Sequence, residues 1–243
     1  MIPPIGVLTQ RLPLWVWLPV IVAQGLKVRR TTPRLAEARE PRGVVGSGQP
    51  VRLMVVGDSL AAGVGVPGHA ETVAGHLADL LATAGARVEW SVHARTGLAA
   101  GGVLELLHTV DLEAADVVLI SVGVNDTKDL HTLARWRREL TSLLDHVLRD
   151  APQAAVLLLD VPPMEQFPAL PSPLAEIFGA RAARLREVSA AVVAERPRVH
   201  RLWFDLPADV EAFASDGFHP GPAFHRVIAE EAATLLKDSL RAP

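Results

Sequence analysis

The sequence predicts an α/β fold, a three-layer α/β/α sandwich around a central, mostly parallel, five-stranded sheet. Three observations predict it. Short apolar runs recur near residues 51–57, 87–93, 116–122, 154–160 and 199–204, each of strand length. Longer helix-like segments fill the gaps, near 69–84, 100–109, 131–150, 174–195 and 222–240, with Gly or Pro at several junctions. The alternation of such runs with helix-length segments is the pattern of βαβ units around a buried parallel sheet. With 243 residues and 49% hydrophobic content the chain can bury one full core, which places a single domain over residues 51–243.

Residues 1–50 read differently. The apolar run 12–26, LPLWVWLPVIVAQGL, is shorter than the roughly 20 residues of a spanning helix and is interrupted by Pro13 and Pro19. Arg11 precedes it and Lys27, Arg29, Arg30 and Arg34 follow, a bias that would keep the downstream domain cytoplasmic or on the cytoplasmic face of a membrane. An export signal with a cleavage pattern at Ile21-Val22-Ala23 is the competing reading, set back by an n-region with one Arg. Trp15 and Trp17 beside the basic flank suit peripheral membrane contact through residues 12–26, and a leader packed on the domain suits the same residues. Residues 31–50, rich in Pro, Gly and charge, read as a linker.

Composition narrows the function. A net charge of -3 with scattered basic residues gives no footprint for nucleic acid. The absence of cysteine excludes disulfides, thiolate metal sites and a Cys nucleophile. His69, His76, His131 and His225 form no ligand pattern, so no metal is expected. Gly63-Val64-Gly65-Val66-Pro67-Gly68 matches G-x-G-x-x-G, but Asp58 to Ala62 separate it from the first strand and no acidic residue ends the second. A dinucleotide site lacks its required context there.

In open parallel sheets ligands bind beyond the carboxyl ends of the strands. The first strand runs into Gly57-Asp58-Ser59-Leu60, which puts a serine hydroxyl and its amide at that edge, either as nucleophile or as a helix N-cap. The second ends in Arg95-Thr96-Gly97, where Gly97 has an N–H to offer an oxyanion or is simply a turn residue. The third ends in Gly123-Val124-Asn125-Asp126, and Asn125 is a neutral donor suited to an oxyanion, or an Asx-turn. Near the C-terminus Asp216 and His219 stand three residues apart in Ser215-Asp216-Gly217-Phe218-His219-Pro220. Asp216 would orient the imidazole of His219 as general base for Ser59, or the segment is a surface turn. The Pro-rich segment 161–173 reads as a loop above the strand ends, where Met164, Phe167 and Leu170 either wall a substrate pocket or cover the core. Trp136 and Trp203 read as packing residues. Such a set needs no cofactor.

These blocks, GDSL at 57–60, Gly97, GVND at 123–126 and DGFHP at 216–220, resemble in order and spacing the four blocks of the SGNH (GDSL) hydrolases. The resemblance covers residues 51 to about 238. It implies a flavodoxin-like fold and a serine esterase or lipase with Ser59 as nucleophile. It further implies Asp216 and His219 as acid and base, the N–H groups of Ser59 and Gly97 with Asn125 as oxyanion hole, no cofactor, and a small-molecule or lipid ester as substrate. Phe167-Pro168-Ala169-Leu170-Pro171 is similar to a bacterial subset described as lysophospholipase-like or esterase-like. Acyl transfer to an alcohol, and lipid binding without turnover, are the other uses open to such a cleft.

Overall fold

The computed structural model describes residues 14–207 and 209–239. Its sheet has six strands in the order β1-β3-β2-β4-β5-β6. β2 (Gln49–Gly57), β3 (Ala86–Ala94), β4 (Val117–Ser121), β5 (Ala155–Leu159) and β6 (Val199–Leu202) correspond to the five expected runs and pair in parallel. The expected count of five is one too few. β1 (Arg42–Gly46) lies inside the stretch read as a linker and pairs antiparallel with β3, from Arg42 opposite Ser91 to Gly46 opposite Arg87. Only five residues long and flanked by Pro41 and Gly46, it sits at an edge and buries neither face fully, so it lacks the apolar run that marks the others.

Helices cover both faces. α2 (Val73–Thr83) packs with α7 (Pro222–Ser239) on one side, and on the other α5 (Leu133–Asp150) lies between α3 (Ala100–Leu107) and α6 (Leu174–Ala194). In α5 the apolar residues recur at helical spacing, so Trp136, Leu140, Leu143, Leu144 and Val147 all face the sheet and are buried. Thr132 caps the helix by accepting from the Arg135 N–H at 3.1 Å. Trp136 donates its indole N–H to the Leu185 carbonyl, whereas Trp203 is 44% exposed, with the Arg186 guanidinium 5.3 Å from its ring centre. The expected start of α2 at residue 69 moves to Val73, because residues 69–71 form a separate 3-10 turn.

At the N-terminus α1 (Leu14–Thr31) contacts α6, and the Gln24 amide holds the start of that helix, donating to the Ser172 carbonyl at 2.7 Å and accepting from the Leu174 N–H at 3.2 Å. Arg11, Leu12 and Pro13 lie outside the described residues, as do the side chains of Trp15 and Trp17. The helix continues through Pro19, and no helix among the described residues is long and apolar enough to cross a membrane.

The β3-β2-β4 neighbourhood sets the position of everything functional. Gly57 pairs with Ala94 on one side and Ser121 on the other, and a Cβ on it would stand 2.2 Å from the Ser121 carbonyl oxygen. Glycine is therefore obligatory, and the chain leaves the sheet with the ends of three adjacent strands at one level.

His225 on α7 is buried in the interface with α2, where its Nδ1 accepts from the Val73 N–H at 3.2 Å. Burial, reinforced by His76, His69 and His219, lowers its pKa from 6.5 to about 3. An unfolded chain takes up a proton at this ring below pH 6.5 that the folded chain refuses until about pH 3, so the folded state loses stability across that window. The melting temperature of His225→Leu, lower than wild type at neutral pH, should therefore fall less on acidification to about pH 4.5. Parallel profiles for the two proteins would refute the assignment.

Candidate active site

Ser59 sits two residues beyond β2 in a run of turns that spans residues 58–65, with the Val64 N–H bonded to its carbonyl at 3.1 Å. The next helix, α2, begins only at Val73, with Thr72 at its N-cap, so Ser59 caps no helix. Its side chain is buried to 8% exposure and faces a cleft that His219 also lines.

Opposite it, the turn from Asp216 to Pro220 is tied down along its length. The Ala214 N–H bonds to the His219 carbonyl at 2.8 Å, and the Ala169 N–H to the Gly217 carbonyl at 3.0 Å. Asp216 Oδ1 accepts from the N–H groups of Phe218 and His219 at 2.9 and 3.0 Å, and its Oδ2 stands 2.6 Å from His219 Nδ1. Burial by itself would raise the Asp216 pKa, but the imidazole and the two amides outweigh it and hold the carboxyl below its ordinary range. An ionised Asp216 keeps the His219 proton on Nδ1, which leaves Nε2 as a lone pair for proton abstraction. Ser59 and His219 line the same cleft.

On the other flank, residues 95–98 and the start of α4 (Val124–Lys128) form a linked pair of donors. Asn125 is 3% exposed; its Nδ2 donates to the Leu98 carbonyl at 2.9 Å, and its Oδ1 accepts from Lys128 Nζ at 2.8 Å. With the oxygen held by Lys128, the second hydrogen of Nδ2 stays free to donate. The Asn125 side chain thus makes no Asx-turn; it ties the start of α4 to the loop at Leu98. Among the described residues the Ser59 and Gly97 N–H groups have no acceptor. Gly97 and Asn125 do not line the enclosed part of the cleft; they stand with Ser59 beyond the ends of β3, β4 and β2.

The cleft has a largely aromatic wall of Phe167, Phe204, Phe218 and Phe224, with Val122 and Leu159 also lining it. Phe167 packs edge-on to Phe218 at 5.1 Å, and Phe224 to Phe204 at 5.8 Å. Of the three loop residues expected near substrate, Phe167 lines this wall. Met164 and Leu170 do not: they are buried in the core and anchor the loop from beneath, Met164 within a short 3-10 turn. Phe204, Phe218 and Phe224 were not foreseen; Phe218 and Phe204 carried a signal in their positions, within the DGFHP block and just past β6, whereas Phe224 arrives from α7 with no local mark.

Asp58 is the other group that sequence reasoning passed over. It is 2% exposed, lines the cleft, and its Oδ1 accepts from Ser121 Oγ at 2.8 Å and the Leu60 N–H at 3.2 Å. Burial raises its pKa from 3.8 to about 6 against the pull of these bonds and of His219. Behind Asn125, Asp126 accepts from the Ala100 N–H at 3.1 Å and pairs with His131 at 2.9 Å, while Glu139 nearby is bound by Arg135 at 2.7 Å. Asp126 thereby ties the start of α3 to the turn that carries His131, while the second oxygen of Glu139 is buried without a partner among the described residues.

A family model described as GDSL-like Lipase/Acylhydrolase matches residues 55–227. No curated protein matches the sequence. Among solved structures the chain is similar to a carbohydrate esterase family 2 enzyme with its carbohydrate-binding domain from Corynascus thermopiles (Myceliophthora fergusii), at TM-score 0.65 and 18% identity over 81% of this chain and 68% of that one. It is also similar to the psychrotrophic esterase EstA from Pseudoalteromonas sp., at TM-score 0.61 and 18% identity over 79% and 99% of the two chains. Phospholipase A1 from Streptomyces albidoflavus NA297 follows at TM-score 0.56 and 16% identity over 79% and 100%. Identities this low establish the shared fold.

Between pH 3.8 and about 6 the folded chain holds a proton on Asp58 that the unfolded chain has released, so this group favours folding as pH falls through that window and ceases to do so above it. Asp58→Asn keeps the acceptor oxygen and removes the titration. Its melting temperature relative to wild type should be highest above about pH 6 and decline toward pH 4, and a difference independent of pH would contradict the buried charge.

Proposed function

The chain belongs to the GDSL-like lipase/acylhydrolase family, and from that premise we propose that it hydrolyses carboxylic esters through a Ser59–His219–Asp216 triad and an acyl-enzyme. The observation that carries this reading is the 2.6 Å contact between Asp216 Oδ2 and His219 Nδ1, at a cleft that also holds the Ser59 hydroxyl. His219 Nε2 takes the Ser59 proton as the oxygen attacks the ester carbonyl, then returns it to the leaving alcohol. The tetrahedral oxyanion is received by the Ser59 and Gly97 N–H groups, which have no other acceptor among the described residues, and by the second hydrogen of Asn125 Nδ2, whose first goes to the Leu98 carbonyl. Water then repeats the sequence on the acyl-enzyme, with no cofactor in any step.

The aromatic wall supports an apolar acyl or alcohol group as the bound portion, short-chain ester or lysophospholipid alike. Residues 12–26 bear on the second case: α1 exposes Val22 and Leu26 beside exposed Lys27, Arg29 and Arg30, a surface suited to peripheral contact with an anionic bilayer. That placement agrees with a cytoplasmic or membrane-peripheral enzyme acting on lipid esters.

Hydrolysis of p-nitrophenyl esters from acetate to palmitate tests the chemistry and reads out the acyl length. Ser59→Ala should abolish turnover and keep the fold. Asn125→Ala should lower kcat about 100- to 1,000-fold with KM little changed, and Asp216→Asn should lower it by roughly 10,000-fold. Turnover that survives Ser59→Ala would overturn the mechanism, and failure of the wild type on every ester would shift the reading to acyl transfer or binding alone.

A further inference from the structure

We infer that Glu37, from the segment read as a linker, is a positioning residue that holds the Gly97 N–H in place for the oxyanion; this rests on the proposed role of Gly97. One carboxylate oxygen of Glu37 accepts both the Thr96 N–H at 2.8 Å and the Thr96 hydroxyl at 2.6 Å. These two bonds fix the backbone and the side chain of the residue immediately before Gly97.

The loop needs such an anchor because nothing packs around its tip. Gly97 has φ +86°, and a Cβ placed on it would meet no atom within 4 Å. Its position is therefore set by the turn bond from the Leu98 N–H to the Arg95 carbonyl at 3.4 Å and by polar bonds on either side: Arg95 N–H to the Gly57 carbonyl at 3.2 Å and Glu37 to Thr96 before it, Asn125 to the Leu98 carbonyl after it. Glu37 is the one member of this set contributed from outside the strand-end loops, and it lies before residue 55, where the family match begins.

Glu37 is itself delivered by an ordered strap. The residues flanking it bond to the turns that follow Ser59, Gly65 N–H to the Ala36 carbonyl at 2.9 Å and Ala38 N–H to the Ala62 carbonyl at 3.0 Å. Arg39 then makes a parallel bridge with Gly68, while Leu35 and Ala38 lie against Gly65 and Gly63. With its neighbours bonded to the loop that carries Ser59, the Glu37 side chain reaches the other loop at Thr96. The strap thus spans the two loops that contribute backbone N–H donors to the proposed oxyanion hole, and it fills the glycine-rich stretch that would otherwise resemble a phosphate cradle.

The experiment compares wild type, Glu37→Ala, Glu37→Gln and Ser59→Ala on the best p-nitrophenyl ester, with melting temperature measured alongside. A misplaced catalytic donor costs rate far more than ground-state affinity, so Glu37→Ala should lose roughly tenfold in kcat with KM within about twofold. Glu37→Gln keeps the acceptor oxygen and should restore most of that loss. Glu37→Ala with wild-type kcat, a loss expressed in KM alone, or equal losses in Ala and Gln would each overturn the inference. If wild type shows no turnover that Ser59→Ala removes, the oxyanion reading fails and takes this one with it; if only Glu37 proves silent, the hydrolase reading stands.

Discussion

The close approach of Gly57 to Ser121 is the constraint on which the site depends. Because no side chain separates β2 from β4 at that level, the Asp58 N–H reaches the Ser121 carbonyl at 3.1 Å and the Ser121 hydroxyl returns to Asp58 at 2.8 Å. That exchange pins the first residue past the strand, and Ser59 is the second. The Gly57 carbonyl, on its other side, accepts from Arg95 and sets the start of the Gly97 loop. One glycine therefore registers two loops from different strands against a third, beside the point where the chain switches from β3 on one side of β2 to β4 on the other. A ligand crevice at such a switch point is a property of the topology, and the side chains around it supply the chemistry.

Asp216, bonded to the cleft residue His219, and Asp58, on the cleft wall, are pushed in opposite directions. Asp216 has three donors, one of them an imidazole, so its charged form is favoured despite burial. Asp58 has one hydroxyl and one amide, and burial dominates. The division gives the site one carboxylate held below its ordinary range against His219, and another that ties the Ser59 loop to Ser121. Such divergence between neighbouring acids separates a proton-handling role from a scaffolding one.

The N-terminal region belongs to the catalytic unit more closely than its composition implies. A helix, a strap and an edge strand in residues 14–46 touch α6, the turns after Ser59, the Gly97 loop and β3 in succession. Local composition marked residues 31–50 as a linker because the strap and the edge strand find their partners far along the chain. Leu35, Glu37 and Arg39 all find partners 25 or more residues away, and the alternation of a bonded strap is indistinguishable in sequence from a polar loop.

What the sequence determined by itself follows from periodicity and from dense local blocks. Five apolar-rich runs of strand length, alternating with helix-length segments, specify a parallel sheet with helices on its faces, and the blocks at 57–60, 123–126 and 216–220 carry their geometry in turns of a few residues. Tertiary structure alone decided the rest. The sixth strand exists because β3 offers an edge. The aromatic wall assembles Phe167, Phe204, Phe218 and Phe224 from four separate segments, while Met164 and Leu170, adjacent in sequence to Phe167, turn inward to support it. Glu37 reaches Thr96 across 59 residues. Contacts of that range leave no period and no motif, because their energy depends on where the whole chain places two backbones.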